Sequence, residues 1–142
     1  MIVGRIINPA SKLATARGLS TDTVNSSLSE ILGVPDADAH ELYEAMDWLG
    51  ERQQEIEQNL AAKHLCEGSL ILYDVSSTYF EGTTCPLAQY GYRRDQKKGK
   101  LQIIFGLLCN APGCPIAVEV FEGNVKDAKT LSAILEKVRV RF

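Results

Sequence analysis

The sequence predicts a mixed α+β or α/β chain in which helices come first and three strands with one covering helix follow. Three observations predict it. Apolar residues recur at helical spacing as far as about Leu65. From Gly68 the period changes to strand-length apolar runs. A turn signal, Asn110-Ala111-Pro112-Gly113, separates two of those runs and makes them antiparallel neighbours. The organisation expected is a helical N-terminal region over residues 1–66 and a sheet-bearing domain over 67–142.

The first helix is expected to open at Asn8-Pro9, with Pro9 at its first position, and to stop at Gly18. A second runs from about Thr23 to Leu32. Thr21 or Asp22 caps it, and Gly33 with Pro35 ends it. A third starts after Asp36 and carries Leu42, Met46, Leu49, Ile56 and Leu60 near one face, with Gly50 as the point where it kinks or splits. Trp48 and Met46 on it read as core residues.

Leu70–Val75 is the first strand. Leu101–Cys109 is the second, almost wholly apolar and so expected to be covered on both faces. Ile116–Phe121 is the third. Asp127 then caps a last helix that carries Leu131, Ile134, Leu135 and Val138. Three strands with one helix make an incomplete layer. The sequence stops after a helix, where an α/β chain ordinarily returns to its sheet, and the expectation is a fragment.

Composition sets bounds on function. A chain of 142 residues is about one domain. The formal net charge of −3 gives no global signature for nucleic acid, so any DNA contact comes from a local patch. No apolar run reaches the ~20 residues of a membrane span, and Met1-Ile2-Val3-Gly4-Arg5 does not open a secretory signal. Cys66, Cys85, Cys109 and Cys114 contain no CxxC pair and read as free thiols of a cytoplasmic protein. The spacing of Cys85, Cys109 and Cys114 with His64 fits no common zinc pattern. Neither His40 nor His64 has a recognisable Ser or Cys partner for nucleophilic catalysis.

Asp74 is the most informative residue. Strand alternation sets it on a face with Leu70 and Leu72, where a carboxylate is costly to bury unless it is paired or binds a metal. The plain alternative is an aspartate at the strand end, bonded to Ser76, Ser77 or turn amides. The one dense basic stretch is Arg93-Arg94-Asp95-Gln96-Lys97-Lys98-Gly99-Lys100, flanked by Tyr90 and Tyr92. Its plain reading is a solvated loop between strands. Its functional reading is sequence-independent phosphate contact through Arg93, Arg94, Lys97, Lys98 and Lys100.

The segment Leu70-Ile-Leu-Tyr-Asp74-Val-Ser-Ser-Thr78-Tyr-Phe-Glu-Gly82 resembles the first catalytic segment of insertion-sequence transposases of the DDE class. Gly91-Tyr92-Arg93-Arg94-Asp95, Lys97-Lys98-Gly99-Lys100-Leu101-Gln102-Ile103, and Pro115 through Gly123-Asn124 with Asp127 resemble later segments of that family, in the same order. Ile7 through Leu13 and Met46 through Leu49 resemble the region before the catalytic core.

The resemblance implies an RNase H-like sheet, here incomplete, and DNA cleavage and strand transfer at transposon ends. It implies three carboxylates that hold two divalent ions, usually Mg²⁺. Asp74 matches the first of them. The second and third lie past Phe142 by the family's pattern, and Asp127, Glu81, Glu119 and Glu122 do not match them. The chain alone is therefore expected to be inactive. The implied partners are transposon-end DNA and either a second copy or a full-length transposase, with no membrane. The alternative is a non-catalytic module that binds DNA or inhibits a transposase.

Overall fold

The computed structural model describes residues 1–23, 26–91 and 99–141. Among them are six helices and one three-stranded antiparallel sheet, a mixed α+β chain. The chain divides into two compact units, Met1–Gln54 and Glu55–Phe142. No helix of the described residues is long and apolar enough to cross a membrane.

The first unit is helical. It contains α1 (Ile2–Ile7), α2 (Lys12–Leu19), α3 (Leu28–Leu32) and α4 (Ala39–Glu51). Its core is small: Ala16, Leu19 and Leu42 are buried, with Met1, Leu28, Ala37 and Ala39 packed around them. The helix starts differ from those expected. Ser11 caps α2 by accepting the Ala14 amide, so Pro9 lies in the link before the helix and Gly18 lies inside it. The α3 helix has Ser27 as its N-cap residue and ends at Gly33 in the left-handed conformation, the stop read from the sequence. Asp38, not Asp36, starts α4. Its carboxylate accepts the Glu41 amide at 2.8 Å while Glu41 accepts the Asp38 amide at 2.9 Å, which satisfies two of the helix's orphan donors reciprocally.

Asp36 has another task. At φ 61° it turns the chain, and its Oδ1 accepts the Thr21 amide at 2.9 Å and the Thr21 hydroxyl at 3.1 Å. The Thr21 amide, with its hydroxyl next, holds the Asp36 carboxyl below its ordinary range.

The long third helix is split at Arg52 rather than at Gly50. Arg52 folds back: its guanidinium lies 4.0 Å from the Trp48 ring centroid and donates to the Trp48 carbonyl at 3.0 Å. Trp48 is therefore a surface platform, 56 % exposed, and Met46 is 37 % exposed. Neither is core, because the inward stripe of α4 buries Leu42 alone.

After the split comes α5 (Gln53–His64), most of which belongs to the second unit. There Ala61 joins Leu108, Ile116, Ala117 and Ile134 in the buried core. Ala61 thus places α5 with the sheet residues, within the unit Glu55–Phe142.

The sheet has the order β1-β2-β3, with β1 (Ile71–Phe80), β2 (Leu101–Asn110) and β3 (Pro115–Glu122). Asp74 pairs with Leu107, and Leu107 with Val118. The hairpin turn is closed by the Gly113 amide on the Asn110 carbonyl at 2.9 Å and by the Cys114 amide on the Asn110 side chain at 2.8 Å. A register shift follows between Leu108 and Cys109, leaving Ile116 as an extra residue opposite β2. This bulge is why neighbouring Ile116 and Ala117 are both buried despite the strand's alternation.

The expectation that β2 is covered on both faces is corrected. Its residues alternate between buried and half-buried. Gln102, Ile104, Gly106, Leu108 and Asn110 face the core, under α6 (Asp127–Arg141), whereas Ile103, Phe105 and Leu107 lie on a face only partly screened from water. Asp127 is the first residue of α6, one place inside the expected cap. There its carboxylate sits in the first turn, where a negative charge suits the helix dipole.

Candidate functional site

The β1 strand is longer than its apolar start suggests. It runs through Ser76, Ser77, Thr78 and Tyr79 because every one of these residues pairs with β2. Asp74 is consequently the fourth residue of a ten-residue strand, and the strand-end alternative does not hold. Alternation puts Leu72, Asp74, Ser76 and Thr78 on the exposed side of β1. Across the ladder on this side stand Ile103, Phe105 and Leu107, then Val118 and Val120. Asp74 is thus an exposed carboxylate at the margin of an apolar sheet face, with two hydroxyls following it along the strand. Among the described residues nothing hydrogen-bonds to it.

The opposite side of the sheet gathers three of the segments singled out in the sequence. Gln102 exchanges backbone hydrogen bonds with Gln89, at 3.1 and 3.0 Å. Its side chain is buried and donates to the Gly123 carbonyl at 2.7 Å. The Gly123 amide donates in turn to the Leu87 carbonyl at 2.9 Å. The backbones come so close that a Cβ on Gly91 would collide with the Gly123 carbonyl, and one on Gly123 with the Gln102 carbonyl. The glycines are therefore required by close approach. Next to this junction is a cavity of about 540 Å³, lined in part by Ser77, Gln102, Asn124, Lys126 and Asp127. Asp127 lines a cavity beside Ser77, whose side of the strand is opposite to that of Asp74. The two aspartates are not drawn into one site by the strand that bears Asp74.

Of the basic residues, Arg93, Arg94, Lys97 and Lys98 lie outside the described residues, as does Tyr92. Lys100 is described. Its ammonium lies 2.6 Å from Glu81 and 5.9 Å from the Tyr79 ring centroid. Hydrogen bonding to Lys100, then its charge, holds the Glu81 carboxyl below the usual range. Lys100 thus already has a partner, although its side chain remains 46 % exposed. Tyr90 is 67 % exposed.

Among the described residues no group of three or more His, Cys, Asp or Glu is placed to hold a metal ion. Cys66, Cys85, Cys109 and Cys114 are free. A polar cluster that sequence reasoning missed lies in the second unit: Glu57 and Lys137 are buried, and Glu119, only partly buried, joins them. Glu57 and Lys137 are 80 residues apart and look like ordinary helix-surface charges, so no local pattern could have paired them. Compared with protein-family models, curated proteins and solved structures, the chain has a significant match to none.

Proposed function

We propose that this chain is part of a DNA transposase of the DDE class and that Asp74 is its first metal-binding carboxylate. The observation that carries the reading is Asp74 itself: an exposed acidic residue in mid-strand, on β1 of an antiparallel β1-β2-β3 meander followed by a helix. Mid-strand is an unfavourable position for aspartate on propensity alone, and here no hydrogen bond among the described residues compensates it. The same strand order opens an RNase H-like sheet, and the convergence of Gly91, Gln102 and Gly123 gives the resembling segments a common structural reason. The reading includes a cytoplasmic location and DNA as partner.

The residues present do not fit a complete two-metal centre. One carboxylate with two nearby hydroxyls offers too few hard oxygen ligands to hold a pair of Mg²⁺ ions. Residues 1–142 by themselves are accordingly expected to leave DNA intact. In a complete enzyme Asp74 would be one of the carboxylates that hold the divalent ions.

The test starts with the coding DNA past codon 142. A frame that continues into a strand ending in Asp, and later a helix bearing Glu, is the expected result. The protein carrying that sequence should nick transposon-end DNA with Mg²⁺, and Asp74→Asn should reduce nicking to background. Undiminished nicking by the Asp74→Asn protein would remove Asp74 from the site. The alternative reading, a DNA-binding or transposase-inhibiting module, would gain if residues 1–142 bound DNA with steep salt dependence and no downstream frame carried the missing carboxylates.

A further inference from the structure

The buried cluster of the second unit plays no part in that reading. Glu57 on α5 and Lys137 on α6 are 3 % and 8 % exposed, and their charged ends meet at 2.8 Å. Two ions taken out of water in this way are costly unless their remaining lone pairs and protons are satisfied. What satisfies them is the edge of the sheet. Glu57 Oε1 accepts the Val118 N–H at 3.1 Å, and Lys137 Nζ donates to the Val118 carbonyl at 3.1 Å. Lys137 also reaches Glu119 Oε2 at 2.8 Å.

The geometry of an antiparallel ladder gives this arrangement its meaning. A residue directs its N–H and C=O together, either toward the neighbouring strand or away from it. Val118 lies opposite Leu107 of β2, yet both of its groups meet Glu57 and Lys137, so both point outward from the sheet. They are groups that an incoming strand would need. An acceptor from α5 and a donor from α6 occupy them as a partner strand would. Pro115, at the start of β3, has no N–H to offer. Open edges of this kind invite pairing with another chain.

We propose that Glu57 and Lys137 form a lock that closes the outer edge of β3 to a strand from a second copy of this chain. Glu119 is a positioning residue that holds the Lys137 ammonium over the edge. The inference does not depend on transposase activity.

Val120 provides an internal reference. It lies two residues on, on the same side of the ladder, and has no such side-chain partner among the described residues. Residue-resolved amide exchange on the full chain should show Val118 protected more strongly than Val120, by roughly tenfold or more. Replacing both ions, Glu57→Leu with Lys137→Leu, keeps the cluster packed and removes the Glu57 acceptor and the Lys137 donor from Val118. That protein should lose the difference between the two amides. It should also show β-sheet association by sedimentation velocity and circular dichroism beyond that of the parent. Lys137→Arg, which keeps the charge and the donors, should behave as the parent. The proposal is overturned if Val118 exchanges as fast as Val120 in the parent chain. It is equally overturned if the doubly substituted protein keeps the parent's fold and associates no more than the parent. Should the double variant fail to fold, the exchange comparison in the parent decides.

Discussion

At the scale of single residues, the contact between Tyr73 and Gly106 shows how sharply the sheet constrains its sequence. Val75 lies opposite Gly106, and Tyr73 lies two pairs further along on the same face, opposite Leu108. The Tyr73 ring lies across the glycine, where a Cβ would collide with its hydroxyl end. Gly106 is thus the gap that accommodates an aromatic residue packed against the core. The hydroxyl is less well served, being buried with no hydrogen-bond partner among the described residues. A buried polar group left unpaired costs about 1–3 kcal/mol. Tyr73→Phe keeps the ring and removes that cost, so chemical denaturation should show unchanged or higher stability, by up to about 1 kcal/mol. Gly106→Ala should act the other way, because the ring has to move within a packed core, at about 1–3 kcal/mol. A clear loss of stability in Tyr73→Phe would mean that the hydroxyl has a partner, such as an internal water. Unchanged stability in Gly106→Ala would mean that the ring is free to leave.

At the scale of elements, helix starts depend on which side chain reaches the first free amides. Asp38 and Glu41 do so for α4. Removal of a capping side chain costs typically about 1 kcal/mol, and Asp38→Ala should lower stability by about that much, with the loss of helix signal concentrated in Ala39–Glu51. If Asp36→Ala instead unwound the start of α4 and Asp38→Ala did not, the cap would be misassigned. The sequence reading started this helix after Asp36 and did not single out the Asp38–Glu41 capping box. Asp36 competed for the role because its long-range bond to Thr21 is invisible without the fold. The strands were more legible than the helices. The apolar runs of β2 and β3 and the Asn110–Gly113 turn located both strands to within one or two residues. The β1 strand was read too short because Ser76-Ser77-Thr78 has the composition of a turn, and only pairing with β2 extends it. The Ile2–Ile7 helix was not foreseen, being too short to show a period. For the candidate site, the sequence marked Asp74 and the glycines of the junction. It gave no sign of the Glu57–Lys137 pair, which local patterning cannot reveal.

At the scale of the whole molecule, the two faces of the sheet are unequal, and the inequality has a consequence in solution. One face carries the core. The other presents Ile103, Phe105 and Leu107 half-buried, with Val118 and Val120 38 % and 49 % exposed and Leu72 46 % exposed. Polar residues flank it on the β1 margin, through Asp74, Ser76 and Thr78, and at Glu122 of β3, which pairs with Ile103. A contiguous apolar patch bounded by polar residues favours association, since burial returns roughly 25 cal/mol for each Å² removed from water. The full chain is therefore expected to self-associate with rising concentration. Val120→Lys tests the route. Val120 is half-exposed, so a lysine stem can lie along the patch while its ammonium reaches water. The substitution should weaken association in sedimentation velocity while leaving the melting temperature nearly unchanged, within the roughly 0.5 kcal/mol typical of surface changes. A parent chain that is a monodisperse, cooperatively melting monomer would defeat the argument, because the patch would then cost too little in water to drive assembly. A parent that associates equally with and without Val120→Lys would shift the contact elsewhere. The exposed apolar residues of the first unit, led by Ile6 at 78 % and Ile31 at 75 %, would be the next surface to vary.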